Sequence, residues 1–340
     1  MNTVWSVAGV AAGAAVGVWL ASRQRRQRYV FRDKTVVITG ASRGLGLVLA
    51  RALAREGARL AILARNSEAL QRAGAELRNH GAQVLALPCD VRRQEEVQAA
   101  LAQVATRFGG VDVLINNAGI IQVGPLEHMT VQDFEDALAT HLYGPLHCIL
   151  AALPHLRQSR SGRIVNITSI GGKIAVPHLA PYCASKFALV GLSDALRAEL
   201  RKYQIRVTTV CPGLMRTGSP RNALFKGQHR REHAWFAISD SLPLLSMDAE
   251  RAATRILDAC RRGSARAILG LHVKGAVLLN ELFPEAASAL LAAANRVLPG
   301  PAESASTATH TGSESSSPFA PSWMTRLSDQ AALRNNELGA

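Results

Sequence analysis

Apolar positions along the chain switch repeatedly between two periods. Thr35–Thr39 is a short β-branched run without polar alternation, which predicts a strand buried on both faces of a parallel sheet. Directly after it, Leu45, Val48, Leu49, Ala52 and Leu53 fall at helical spacing, so the chain turns from strand into amphipathic helix. The alternation then repeats. Arg59–Ala64 reads as a second strand, 67–80 as a polar-faced helix, 83–87 as a third strand, 95–108 as a third helix and 111–115 as a fourth strand. Thr130 with Asp133 forms a capping box for a long helix running through Leu142 towards His155, bent near Pro145, which lacks an N–H for the helical ladder. Residues 163–168 and 206–211 supply further central strands, 182–203 a helix between them, and Arg266–Leu269 a closing strand. Strand–helix alternation of this kind predicts an α/β fold, a Rossmann-type doubly wound parallel sheet in a three-layer αβα arrangement spanning 31–271.

The two ends break the pattern. From 4 to 21 there is no charge, and Ser6 is the only polar side chain apart from indoles. As a helix this run is roughly 27 Å long, against a hydrocarbon core of roughly 30 Å. Arg23, Arg25, Arg26 and Arg28 follow at once. That order is the reverse of a cleavable signal peptide. It predicts an N-terminal transmembrane helix within 1–30, with the catalytic body on the cytoplasmic side. Residues 272–300 read as an apolar helical extension, and packing on the domain, capping a substrate pocket and resting on a membrane all suit it. Residues 301–340 begin rich in Ser, Thr, Ala and Pro and read as a mostly disordered tail, with a short helix near Trp323 and Leu333 the one element the pattern allows.

Composition narrows the class. Nearly half of the 340 residues are apolar, enough for a sizeable core, and no solenoid period is visible. The net charge of +14 is carried by scattered arginines with only 5% aromatics, which argues against a nucleic-acid surface. Cys89, Cys148, Cys183, Cys211 and Cys260 lie far apart with no C-x-x-C pair, so neither a metal site nor a disulfide framework is indicated.

Candidate chemistry gathers at the ends of the strands. Gly40, Gly44 and Gly46 are spaced G-x-x-x-G-x-G between the first strand and its helix, where free backbone N–H groups and the helix dipole favour an anion. Tyr182 and Lys186 stand at i and i+4 on one helix face, so the ammonium is expected to draw the phenol pKa down from about 10. Ser169 follows the strand 163–168, at the sheet edge where open α/β folds keep their ligands.

These features occur in one order: Thr39-Gly40-Ala41-Ser42-Arg43-Gly44-Leu45-Gly46, Asn116-Asn117-Ala118-Gly119, Ser169, Tyr182-Cys183-Ala184-Ser185-Lys186 and Pro212-Gly213. From about Asp33 to Leu271 the sequence resembles the short-chain dehydrogenase/reductase family. The resemblance implies hydride transfer between a nicotinamide cofactor and a carbonyl or alcohol. Ser169 would hold the substrate oxygen, Tyr182 would exchange a proton with it, and Lys186 would tune Tyr182 while bonding the nicotinamide ribose. Gly40, Ser42, Arg43, Gly44, Leu45 and Gly46 would form the phosphate-binding turn. Asp90 and Val91 match the adenine contacts, Asn117, Ala118 and Gly119 the adenosine side of the cleft, and Pro212, Gly213 and Thr217 the stretch that orients the carboxamide. Members preferring NAD carry an acid at the end of the second strand, whereas Ala64 stands here with Arg65 beside it and Arg43 in the turn. Two guanidiniums able to fork onto a 2′-phosphate predict NADP(H).

One position departs from the family. His141-Leu142-Tyr143-Gly144 replaces the usual Asn-Leu-x-Gly, whose Asn is tied to a proton relay behind the lysine. A neutral imidazole can also bridge a donor and an acceptor, yet it gains a proton near pH 6.5, so a fall in rate on the acid side is expected. His141 therefore joins the candidate catalytic residues. The anchor implies a lipophilic substrate such as a sterol, retinoid or acyl chain, and the resemblance implies a homodimer formed through the long helices. The rival expectation is a non-catalytic NADP(H) sensor or membrane scaffold on the same fold.

Overall fold

The central layer is a seven-stranded, all-parallel sheet, and a computed structural model describes it within residues 29–243, 245–302 and 307–338. In chain order the strands of the protein are β1 (Thr35–Thr39), β2 (Arg59–Ala64), β3 (Val84–Pro88), β4 (Val113–Asn116), β5 (Gln122–Val123), β6 (Arg163–Ile167), β7 (Arg206–Pro212), β8 (Leu214–Arg216), β9 (Leu224–Phe225), β10 (Ser246–Asp248), β11 (Arg266–Leu269) and β12 (His310–Thr311). The main sheet runs β11-β7-β6-β4-β1-β2-β3, so the chain winds outward from β1 to one edge and then returns to fill the other side. Its register is pinned by pairs such as Val37↔Ala61 and Val37↔Leu114. Every residue of β1 is buried, as the unalternated run requires.

Helices cover both faces. On one lie α1 (Gly44–Arg55) and α2 (Ser67–Asn79), and on the other α3 (Gln94–Phe108), α4 (Val131–Leu138), α5 (Gly144–Gln158) and α6 (Ala180–Glu199). Further along come α7 (His229–Ser241), α8 (Ala249–Arg262), which packs on α1, then α9 (Leu271–Leu282), α10 (Pro284–Asn295) and α11 (Arg326–Arg334). The second face is a continuous apolar cluster in which Leu101, Val104, Ile149 and Leu156 meet Leu63, Leu114, Ile164 and Val207 of the strands.

The long helix expected from Thr130 is interrupted one turn earlier than Pro145. Residues Ala139–Tyr143 form a π-turn in which the Gly144 N–H reaches back to Ala139 O. Pro145 cannot donate to the carbonyl four residues before it, and the widened turn absorbs that loss while bringing His141 inside. The capping box at Thr130 and Asp133 is formed. Asp133 also takes a buried ion pair from Lys226 at 2.6 Å, tying α4 to the chain after β9.

The N-terminal anchor expected over 4–21 lies outside the described residues. Among the described residues no single helix is long and apolar enough to cross a membrane; α9 and α10 pass by length and composition only as a pair bent by 119°. A mostly disordered tail with a short helix near Trp323 and Leu333 is expected over 301–340; the helix is present as α11, whereas the rest of 307–338 is packed as well. β12 pairs antiparallel with β9, which in turn runs parallel to β5, and α11 lies against α7. The tail is held by small and polar groups: Ser315, Thr325, Ser328, Ala331, Ala332 and Asn335 are buried. No large apolar periodicity announces such packing.

Removing the Lys226 ammonium would leave the Asp133 carboxylate buried with only the neutral donors of Thr130 and Gln122. Lys226→Ala is expected to cost about 3 kcal/mol, read as a lower midpoint in urea unfolding.

Candidate active site

Where β1 ends, the backbone is gathered tightly. Thr39 Oγ1 accepts the N–H groups of Asn117 and Ala118, each at 3.0 Å, and Asn117 Nδ2 donates to the carbonyls of Thr39 at 3.0 Å and Gly40 at 3.1 Å. Gly40 has φ of 64°, and a Cβ there would meet Ala118 Cα at 2.8 Å. A Cβ on Gly46 would lie 2.2 Å from Gly40 O, so α1 can start this close to the sheet only with glycine at that position. The result is a cradle walled by backbone at a helix N-terminus, with the Arg43 guanidinium beside it. Its shape and donors fit the phosphates of a dinucleotide.

Other candidate cofactor residues line the same edge. Ser42 and Leu45 are buried within the turn, and Arg65 is exposed just past β2. Asp90 is held by Arg92 at 2.6 Å, and together with Arg65 this holds its carboxyl below the ordinary range despite burial. Val91 is buried, with its carbonyl 3.1 Å from His147 Nδ1. Pro212 closes β7, and Gly213 faces α9, where a Cβ would meet Val273 at 2.6 Å.

Parts of the cradle are met by the chain's own end. The Gly44 N–H donates to Asn335 O at 2.9 Å, Asn336 Nδ2 donates to Ser42 O at 2.8 Å, and Arg43 Nε lies 3.4 Å from Glu337 Oε2. Asn335 Nδ2 also reaches Thr217 O at 3.3 Å.

The proton-handling side chains converge behind Gly119. Ser169 caps the turn after β6, its Oγ accepting the Gly171 N–H at 3.0 Å. Lys186 Nζ donates to Ile167 O at 3.1 Å and sits 5.6 Å from the centre of the Tyr182 ring. A Cβ on Gly119 would come within 3.0 Å of His141 Nε2 and 3.8 Å of Lys186 Nζ. Ser169, Tyr182, Lys186 and His141 are thus brought into one cluster. The expected lowering of the Tyr182 pKa is corrected: burial pushes the phenol up to about 12, only partly offset by its hydrogen bond with Ser169. Burial likewise pulls Lys186 down to about 7, which weakens the charge meant to tune the phenol.

His141 is also corrected. The Ile120 N–H donates to its Nε2 at 3.1 Å, so the ring proton is assigned to Nδ1, which donates to Ser185 Oγ at 2.7 Å. Ser185 passes the chain on to Tyr182 O at 2.8 Å. Burial, reinforced by the nearby Lys186, holds the imidazole well below 6.5, so it stays neutral where protonation is expected from the sequence.

Segments 173–179 and 215–240 are joined by a buried polar cluster. Glu232, fully buried, accepts from Trp235 Nε1 at 2.7 Å and lies 2.8 Å from His178 Nδ1. Neither residue stands in a recognisable motif. The same region packs Leu179, Cys183, Ala223, Phe225 and Phe236 together, with Ile121, Val176, Tyr182 and Trp235 against them.

A His held neutral in the fold but free to charge in the unfolded chain makes stability fall as pH drops below about 6.5, by up to about 1.4 kcal/mol per pH unit. The difference in unfolding free energy between wild type and His141→Asn, measured from pH 7.5 to 5, is expected to follow that slope. Subtraction removes the parallel contribution of His233, which burial also holds down. A flat difference would mean that His141 charges freely in the folded protein.

Comparison with known proteins agrees with this geometry. Residues 34–224 match the short chain dehydrogenase family. The chain is 35% identical over 268 residues to dehydrogenase/reductase SDR family member 7B of Danio rerio, covering 76% of this chain and 84% of that protein. It is 36% identical over 184 residues to a 3-oxoacyl-[acyl-carrier-protein] reductase, FabG, of Staphylococcus epidermidis, covering 54% and 75%. A short chain dehydrogenase/reductase from Burkholderia phymatum, solved in complex with NAD, superposes with a TM-score of 0.68 at 26% identity, covering 76% of this chain and 96% of that one.

Proposed function

The chain belongs to the short-chain dehydrogenase/reductase family, an oxidoreductase family with a nicotinamide cofactor, and on that premise we propose that it reduces a carbonyl of a lipophilic substrate to a secondary alcohol with NADP(H). The observation that carries the reading is the cluster of Ser169, Tyr182 and Lys186 beside the cradle, with the Tyr182 proton firmly held at neutral pH. A bound dinucleotide supplies the hydride. Ser169 Oγ positions the carbonyl oxygen, and the Tyr182 O–H donates a proton to it as negative charge develops. Lys186, pulled down to about 7 by burial, can give or take a proton near neutral pH within the same cluster. His141 acts through Ser185 on the turn of α6 that carries Tyr182, and is a positioning residue.

In this reading Gly40, Ser42, Gly44, Leu45 and Gly46 hold the pyrophosphate, Asp90, Val91, Asn117, Ala118 and Gly119 the adenosine, and Pro212, Gly213, Thr217 and Lys186 the nicotinamide half. The preference for NADP(H) rests on charge: Ala64 presents no carboxylate to repel a 2′-phosphate, and Arg65 and Arg43 flank the place it would take. A lipophilic substrate is supported by Ile121, Val176, Leu179, Trp235 and Phe236 packed around Tyr182. We place the enzyme at a membrane, cytoplasmic side, through the uncharged run at 4–21, and as a homodimer through the helices that expose Leu150 and Phe187.

Purified full-length protein would be assayed with NADPH and NADH against a panel of ketones, aldehydes and 3-oxoacyl thioesters. Tyr182→Phe is expected to lower kcat/KM on the order of 10²- to 10⁴-fold without weakening dinucleotide binding. Arg65→Asp is expected to weaken NADPH by about tenfold, the equivalent of about 1.4 kcal/mol, and to leave NADH unchanged. Dinucleotide binding with no turnover on any substrate would replace the reductase with the non-catalytic sensor.

A further inference from the structure

The C-terminal segment follows the path that a dinucleotide needs. α11 lies directly on Gly218, which has φ of 91° and no side chain in the way: a Cβ there would stand 2.4 Å from Ala332 Cα. The chain then runs across the cleft. Arg51 Nη2 ties Arg334 O at 2.9 Å, and the Asn335 carbonyl takes the N–H of Gly44, the first residue of α1. Asn336 bridges Ser42 O and, at 3.2 Å, Ala69 O at the start of α2, next to the place proposed for a 2′-phosphate. The Glu337 carboxyl rests against Gly44 Cα, where a Cβ would meet Oε1 at 2.6 Å, and it takes Asn222 Nδ2 at 2.6 Å beside Arg43.

A carbonyl and a carboxyl therefore sit on the amide and guanidinium donors that would otherwise take phosphate oxygens. We propose that segment 326–338 is a built-in competitor of the dinucleotide, a latch that closes the phosphate-binding turn until it is displaced. The proposal rests on reading the turn as a cofactor site. The form of the contact suits release. The segment's larger apolar side chains stay out, with Leu333 67% and Leu327 39% exposed, so directed polar bonds hold it rather than a buried apolar anchor.

Protons strengthen the latch. Glu337 faces Arg43 at the start of α1, Asn222 before β9 and, at longer range, Asp240 of α7. Asp240 is bonded by Ser328 of α11 and faced by Arg216 of β8. Burial outweighs Arg43 and pushes the Glu337 carboxyl up to about 7, and it does the same to Asp240. Docking therefore takes up protons: the latch holds fully below the ordinary carboxyl value near 4.5 and weakens as pH rises through about 7.

The test uses full-length wild type, the double variant Asn336→Ala/Glu337→Ala, and Ala332→Glu, which wedges α11 off Gly218 without touching the turn. Dissociation constants for NADPH would be read from its fluorescence, and backbone hydrogen exchange of 326–338 followed with and without saturating NADPH. Both variants are expected to bind at least tenfold tighter than wild type, and NADPH is expected to speed exchange across 326–338 in wild type. Between pH 6 and 8, wild-type affinity should rise relative to Glu337→Gln, whose neutral amide keeps its bonds throughout. Equal affinities in all variants, with NADPH bound and tail exchange unchanged, would overturn the latch and leave the cofactor reading intact. Failure of NADPH and NADH to bind even the variants whose tails exchange freely would overturn the cofactor reading and the latch with it.

Discussion

Gly46 passes so close beneath Gly40 that only a hydrogen fits between them, and the upper edge of the sheet is arranged around that contact. It sets the start of α1 against the end of β1, while Thr39 Oγ1 and the Asn117 amide lash β1 to the loop after β4. Two consequences follow from one approach of backbones. A helix N-terminus is left presenting its N–H groups at the sheet edge, where anionic groups and carbonyls are favoured, and Asn335 O takes the Gly44 N–H there. Gly119 is also brought over His141 and Lys186, so the cradle and the proton-handling cluster share a wall.

Burial decides the charge state of that cluster more than pairing does. Tyr182 is pushed up, Lys186 and His141 are pushed down, and each shift favours the neutral form. This suits a His at the position where the family resemblance leads one to expect an Asn. A neutral ring that accepts from Ile120 through one nitrogen and donates to Ser185 through the other does the hydrogen-bonding work of an amide, with no charge to bury. His141 lies buried within the π-turn, and Pro145 starts the next helix.

Most of the sheet was legible because its strands are buried on both faces and their helices are not, a contrast that hydrophobic periodicity records directly. The boundaries moved by a residue or two, as at β3 and β7. Motifs at strand ends were legible for a similar reason: Gly40, Gly46 and Asn117 answer local demands of the backbone. Lys226 with Asp133, and Glu232 with His178 and Trp235, were not, since each joins residues far apart in the chain or spaced without a pattern. The tautomer of His141 and the direction of the Tyr182 shift depend on burial depth, which i and i+4 spacing does not encode. The tail was misjudged for the opposite reason. Its composition signals disorder because it lacks apolar residues at helical spacing, but Ala332, Asn335 and Glu337 dock through small size and hydrogen bonding.

A docked tail of this kind sits close to balance by construction. Each net hydrogen bond contributes about 0.5–1.5 kcal/mol, while ordering a residue costs about 1–2 kcal/mol, so a segment held chiefly by polar contacts gains little beyond what its own ordering consumes. Covalent attachment tips the balance, since a tethered group acts at an effective concentration of roughly millimolar. A free ligand then meets a site open only part of the time, and its apparent affinity is reduced by that fraction. Small inputs can move such an equilibrium across its midpoint. The buried carboxyl of Glu337 provides one, because it binds its proton more tightly when the segment is docked than when it is free.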